Sequence, residues 1–210
     1  MTEASAVVGV HNSPNSVGAK VAMRRHVLAE VKHASVLDCY CGPTGEMWAA
    51  AWKSAESYTG IDLVWHVNDP RRRYAGDTLT VLSSIDIATF NVFDVDAFGS
   101  PWPVLLKLLR RKWKKGERGA LVITDGSAGK NRFGAVGEAQ RDLLNFGTTS
   151  CPPSNSTDIA HDLCLQEWLA RAKVGVVRQW TARSSSANSS RGGSQKMRYS
   201  AVVFSGTGEK

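Results

Sequence analysis

Val36-Leu37-Asp38-Cys39-Tyr40-Cys41-Gly42-Pro43-Thr44-Gly45 constrains this chain more than any other stretch. An apolar run of strand type ends in an acidic residue. A turn with two glycines then leads directly into the helix-forming Glu46-Met47-Trp48-Ala49-Ala50-Ala51. A strand–turn–helix step of this kind brings backbone close to a ligand, and only glycine lacks the Cβ that would block the approach. The next strand-like run, Tyr58-Thr59-Gly60-Ile61, ends in Asp62, at the spacing nucleotide-binding folds give to a ribose-binding carboxylate.

The turn departs from the dinucleotide fingerprint G-x-G-x-x-G, which holds a pyrophosphate on a helix N-terminus. Only Gly42 and Gly45 are present, and Asp38 stands at the strand end. A carboxylate repels a pyrophosphate but attracts an ammonium or sulfonium. The ligand that suits this turn is therefore a nucleoside with a cationic amino-acid tail, which describes S-adenosylmethionine. The same electrostatics argue against a nicotinamide oxidoreductase.

The chain has 210 residues, 42% of them hydrophobic, enough to bury one good core in a single domain. It lacks an apolar run approaching the roughly 20 residues of a membrane span, and its start lacks the pattern of a signal peptide. A soluble, cytoplasmic protein is expected. Cys39, Cys41, Cys151 and Cys164 form no paired metal pattern, and His161 with Cys164 would supply only two ligands, so no metal is expected. The net charge is +7, from 26 basic and 19 acidic residues. Basic clusters fall at residues 71–73, 110–115 and 191–198. Such clusters suit a polyanion, because phosphate contacts give sequence-independent affinity. Cations at 110–115 would also favour the end of a helix.

Residues 1–16 show no periodicity and are expected to form a flexible arm before a single domain over 17–210. Val21, Ala22, His26, Val27 and Val31 suit a helix before the first strand, Ser35 to Cys39. Further strands are expected at 57–62, 73–75, 90–94 and 120–125. Helices are expected at 78–85, at 100–115 with Ser100 as N-cap, and at 157–173 with Ile159, Leu163, Cys164, Trp168 and Leu169 inward. Val174 to Thr181 and Tyr199 to Phe204 flank a Ser/Gly-rich segment, 183–196, which either holds phosphates or is an idle loop. This alternation predicts an α/β fold: a Rossmann-like, doubly wound, mainly parallel seven-stranded sheet ending in an antiparallel hairpin.

The run Phe93-Asp94-Val95-Asp96-Ala97-Phe98-Gly99-Ser100-Pro101 ends the strand expected to lie beside the first one. Two carboxylates and an aromatic at that lip suit a planar amine. Phe98 would stack on a base, and a carboxylate would orient an exocyclic amino group toward the methyl donor. A strand end with a Ser-Pro cap and a core phenylalanine would look the same.

Val36 to Gly45 resembles motif I of class I S-adenosylmethionine-dependent methyltransferases. Phe93 to Pro101 resembles motif IV of the tRNA guanine N2-dimethyltransferases, D-x-D-P-F-G-S-P, with Ala97 where that group has proline. The resemblance spans roughly residues 30 to 125. It implies that Asp38, Cys39, Gly42 and Gly45 wrap the methionine part, Asp62 binds the ribose and Asp77 the adenine amine. Tyr40, Leu63 and Thr78 complete the implied cofactor contacts, and Asp94, Asp96 and Phe98 hold the target amine.

The expected function is transfer of a methyl group from S-adenosylmethionine to an exocyclic amine of a nucleic-acid base, with RNA favoured over DNA and tRNA processing as the implied setting. Alternatives are a small-molecule or protein methyltransferase, or a non-catalytic subunit of a larger complex. A homo-oligomer or partner protein is compatible with either.

Overall fold

The computed structural model describes residues 7–9, 16–64, 70–97, 99–126, 137–145, 157–186 and 195–208. Phe98, Cys151, residues 191–194 and most of the expected N-terminal arm lie outside these residues.

The strands are β1 (Val7–Gly9), β2 (Ser35–Asp38), β3 (Ser57–Asp62), β4 (Arg73–Ala75), β5 (Val92–Asp96), β6 (Arg118–Asp125), β7 (Val174–Ser186) and β8 (Gln195–Gly206). The helices are α1 (Ser16–Glu30), α2 (Glu46–Ala50), α3 (Thr78–Ser84), α4 (Trp102–Leu108), α5 (Glu138–Leu144) and α6 (Thr157–Arg171). All eight strands form one sheet in the order β1-β7-β8-β6-β5-β2-β3-β4. Pairing is parallel from β4 through β6, while β8 runs antiparallel to both β6 and β7. The expected seven-stranded sheet with a terminal hairpin is thus β2 to β8. β1, for which the sequence carries no periodic signal, adds an eighth strand parallel to β7.

The connection reverses direction at β2, which pairs with β3 on one side and β5 on the other. Strand alternation sends Val36 and Val92 to one face and Leu37, Phe93 and Val95 to the other. The first face is covered by α1 through Ala19, Met23 and Val27, and by Trp52 of the short 3-10 turn after α2. The second is covered by α3 to α6 through Leu82, Leu105, Leu143 and Leu165. Trp52, Trp102 and Trp168 are fully buried, and each indole N–H has an acceptor: Asp94, Asp125 and the Leu105 carbonyl respectively.

Three sequence expectations need correction. α4 starts after Pro101 and stops at Leu108 rather than Lys115. The basic run beyond it turns back, with Arg110 donating to the Ile85 carbonyl and Arg111 to that of Phe90, while Trp113 packs edge-on against Phe93 and Phe204. On α6 the inward stripe is His161, Cys164, Leu165, Trp168 and Leu169, so Ile159 and Leu163 face outward at 58% and 42% exposure. α5, in what the sequence offers only as a long connection, packs Leu143 into the core.

Candidate functional site

The β2–α2 turn sits at the switch point, at the carboxyl ends of the parallel strands, where open α/β sheets bind ligands. Gly42 and Gly45 have φ of 66° and 68°, the left-handed region that favours glycine. Asp62, at the end of β3, accepts from the Gly42 N–H at 2.9 Å and the Val64 N–H at 3.0 Å through different oxygens. Each oxygen keeps a lone pair for a donor such as a ribose hydroxyl. Leu63 beside it is 76% exposed, an apolar surface of the kind a nucleobase covers.

Asp77 is exposed and caps α3, accepting from the Thr80 N–H and hydroxyl, and these hydrogen bonds hold its carboxyl below the ordinary value. Thr78 is buried, with its hydroxyl donating to the Cys39 carbonyl, so it ties α3 to the turn. The Cys39 N–H donates to the Asp94 carbonyl and its side chain is buried, while Tyr40 is half-buried. The side chains of Cys39 and Thr78 are therefore committed to the fold and closed to a ligand.

Asp38 is placed differently from the expectation. Sharing a strand face with Val36, it points beneath the turn toward α1 and is 1% exposed. It accepts from the Tyr58 hydroxyl at 2.9 Å and the Tyr40 N–H at 3.2 Å. Burial, reinforced by neighbouring Asp94, pushes its carboxyl up to about 8. Its role is to support the turn from below, not to touch the ligand's charged tail.

Asp94 requires a similar correction. It is completely buried, and both oxygens are taken by Arg24, at 2.6 and 2.7 Å, with the Trp52 indole also donating at 2.7 Å. It cannot hold a target amine. Burial pushes its carboxyl upward, but three donors at these distances mark it as the carboxylate. Arg24 is likewise opposed by burial, yet Asp94 and Asp96 outweigh that and hold it above its ordinary value.

Asp96, at the tip of β5, does reach the rim, with its side chain 17% exposed. Lys20 Nζ donates to both its oxygens, at 2.6 and 2.9 Å, and Arg24 adds a contact at 3.2 Å. Burial would raise this carboxyl, but Arg24 and Lys20 prevail and hold it below the usual range. Two steps of geometry make the cluster. Four residues along a helix advance about 6 Å and two along a strand about 6.6 Å, so Lys20 and Arg24 meet Asp96 and Asp94 in register. The pattern K-x-x-x-R with D-x-D was the available signal for these two cations.

Arg71 is a further residue that sequence reasoning missed. It is buried and donates to the carbonyls of Cys41, Gly42 and Pro43 at 3.1 to 3.3 Å, clamping the glycine turn from outside. A Cβ on Gly45 would lie 2.9 Å from its Cζ. Of the three basic clusters, 71–73 thus gives one member to the turn, and Arg110 and Arg111 of 110–115 are occupied as backbone caps. Lys112, Lys114 and Lys115 are exposed near the amino end of β6, away from the crevice.

A separate cleft of about 870 Å³ lies on the flank of β3 against α3, lined by Ser35, Ser57, Thr59, Arg72, Tyr74 and Phe90 among others. It sits near the amino ends of β2 and β3, and none of the implied cofactor residues lines it. The switch-point crevice is the better placed for chemistry.

No family model matches the sequence, and no curated protein matches it. Solved structures do match. A candidate RNA methyltransferase from Pyrococcus horikoshii superposes with a TM-score of 0.50 at 12% identity, over 95% of this chain and 93% of that one. TYW2 of M. jannaschii, solved in complex with AdoMet, gives 0.50 at 9% identity, over 93% and 78%. The likeness is one of fold. A candidate hemolysin from Streptococcus thermophilus also gives 0.50, at 13% identity over 91% and 67%, so proteins of different names share this architecture. Among the described residues no helix is long and apolar enough to cross a membrane.

Proposed function

We propose that this chain is an S-adenosylmethionine-dependent methyltransferase acting on an exocyclic amine of a nucleic-acid base, RNA in preference to DNA, in the cytoplasm. The observation that carries the proposal is the hydrogen bond from the Gly42 N–H to Asp62, which sets the glycine turn against a carboxylate still able to accept from a ribose. Gly42 and Gly45 would admit the methionine part, Asp62 and Leu63 the ribose and adenine, and Asp77 the adenine amine. The cofactor supplies an electrophilic methyl group. Asp96 orients the acceptor amine, and the gain comes from alignment and preorganised charge. A base in a duplex would have to be flipped out, at a cost of a few kcal/mol.

The AdoMet complex of TYW2 and the RNA methyltransferase description of the Pyrococcus protein support this choice of cofactor and polymer. The net charge of +7 favours a polyanionic acceptor.

Calorimetry with S-adenosylmethionine against NAD, followed by radiolabelled methyl transfer to bulk RNA and DNA, tests the proposal. Asp62→Ala should abolish cofactor binding while the fold persists. Failure to bind, or binding that Asp62→Ala leaves intact, overturns the site. Binding without transfer to either polymer favours a small-molecule or protein acceptor, or a subunit role.

A further inference from the structure

We propose that Arg71 is a positioning residue for the cofactor: it holds the glycine turn in the arrangement that accepts the amino-acid tail, and so sets selectivity for a nucleoside that carries this tail. This rests on the methyl-transfer proposal for the same crevice and adds the residue that shapes the tail's half of it. Arg71 is 7% exposed. Its Nη1 donates to the Cys41 carbonyl at 3.1 Å, and its Nη2 to those of Gly42 and Pro43 at 3.1 and 3.3 Å. Three successive carbonyls of the turn are thus drawn to one planar guanidinium, a fork that the point charge of a lysine does not reproduce.

The peptide between Cys41 and Gly42 is held from both ends. Its carbonyl meets Arg71, and its N–H meets Asp62 at 2.9 Å. The two groups point in opposite directions across a planar trans peptide, so cation and carboxylate grip the turn from opposite sides. The same geometry at the Pro43–Thr44 peptide turns the Thr44 N–H away from Arg71. A donor on that side suits the carboxylate of an amino-acid tail.

The covalent chain does not impose this arrangement. Gly42 has φ of 66°, and a glycine takes negative φ about as readily. The hydrogen bonds of Arg71 and Asp62 make the choice. The guanidinium also lies against Gly45, where an added Cβ would stand 2.9 to 3.1 Å from its Cζ, Nε and Nη1. Arg71 therefore reaches both glycines of the turn. Asp62, by contrast, keeps a second anchor at the end of β3 through the Val64 N–H. Loss of Arg71 should loosen the tail's half of the site and spare the ribose half.

The test uses the full chain and calorimetry, direct or by displacement, with S-adenosylhomocysteine and methylthioadenosine. Both are nucleosides with a neutral sulfur, and only the first carries the tail. Arg71→Ala should weaken S-adenosylhomocysteine about tenfold, the loss expected when hydrogen bonds from a charged group are removed. Methylthioadenosine should bind as it does to wild type. Arg71→Lys, which keeps the charge without the fork, should fall between. A partly unfolded variant lowers both apparent affinities by the same factor, so the ratio reports positioning and not stability. An equal or greater loss for methylthioadenosine, or no loss for either ligand, overturns the proposal while the methyl-donor site stands. A wild type that binds neither ligand overturns both.

Discussion

Arg24 Nε and Nη2 reach different oxygens of Asp94, at 2.6 and 2.7 Å, where neither side chain is more than 1% exposed. A buried pair of this kind is costly to break from one side, because the survivor keeps an uncompensated charge. Arg24→Met should destabilise the fold by about 3–5 kcal/mol. Adding Asp94→Asn removes that charge and keeps an acceptor for Trp52. The double variant should then be more stable than Arg24→Met alone in urea denaturation, and an equal or larger loss would show that the pair is not coupled.

Asp38 makes stability depend on pH in the direction opposite to a salt-bridged carboxylate. Its carboxyl lies near 8 in the folded chain, against about 4 when unfolded. Between those values the native state holds a proton that the unfolded state has released, so stability falls as pH rises across the window. Asp38→Asn, whose amide oxygen can still accept from the Tyr58 hydroxyl or the Tyr40 N–H, carries no titrating proton and lacks this dependence. Urea midpoints of the two proteins at pH 5, 7 and 9 should move in favour of the variant with rising pH. A constant difference would place Asp38 as an ordinary carboxylate.

Gly45→Ala tests the clamp on the turn. A left-handed residue with a Cβ costs roughly 1–2 kcal/mol, and here the new atom also meets the Arg71 guanidinium at 2.9 Å. The expected result is a lower melting temperature together with weakened S-adenosylmethionine binding. Gly116→Ala, also left-handed at φ 78° but open to space within 4 Å, should lose stability alone. Equal affinity in the two variants would separate the turn from the ligand.

His161 bonds Asp125 through Nδ1 and Ser200 through Nε2, each at 2.9 Å, within the α6 side of the core. His161→Phe should cost about 1–3 kcal/mol for each polar group it deprives. Ser200→Ala in that background should recover part of the loss in thermal melts, because it removes one of the deprived groups. No recovery would mean that the Ser200 hydroxyl finds another partner.

The parallel part of the sheet was legible because each strand is a short apolar run closed by an acid or a turn, as in Val36 to Asp38 and Val92 to Asp96. Asp62 was legible for the same reason, being a strand end at a recognisable distance from glycine. What periodicity could not convey is which way a strand-end carboxylate points. Asp38, Asp94 and Asp96 share one face, and α1 comes to lie over that face through contacts between residues some 70 positions apart, such as Arg24 with Asp94. Arg71 was invisible because it acts from a loop, through carbonyls that no side-chain pattern encodes. Ile159 and Leu163 misled because an apolar residue does not declare whether its helix face is covered.

The eighth strand has a practical consequence for handling the protein. Among the described residues, β7 spans 13 residues and β1 pairs with it opposite Gln179 to Thr181. A border strand displays unpaired backbone groups that invite other chains. Val7 to Gly9 thus cover backbone groups that β7 would otherwise display. Removing Val7 to Gly9 would be expected to trade solubility for self-association.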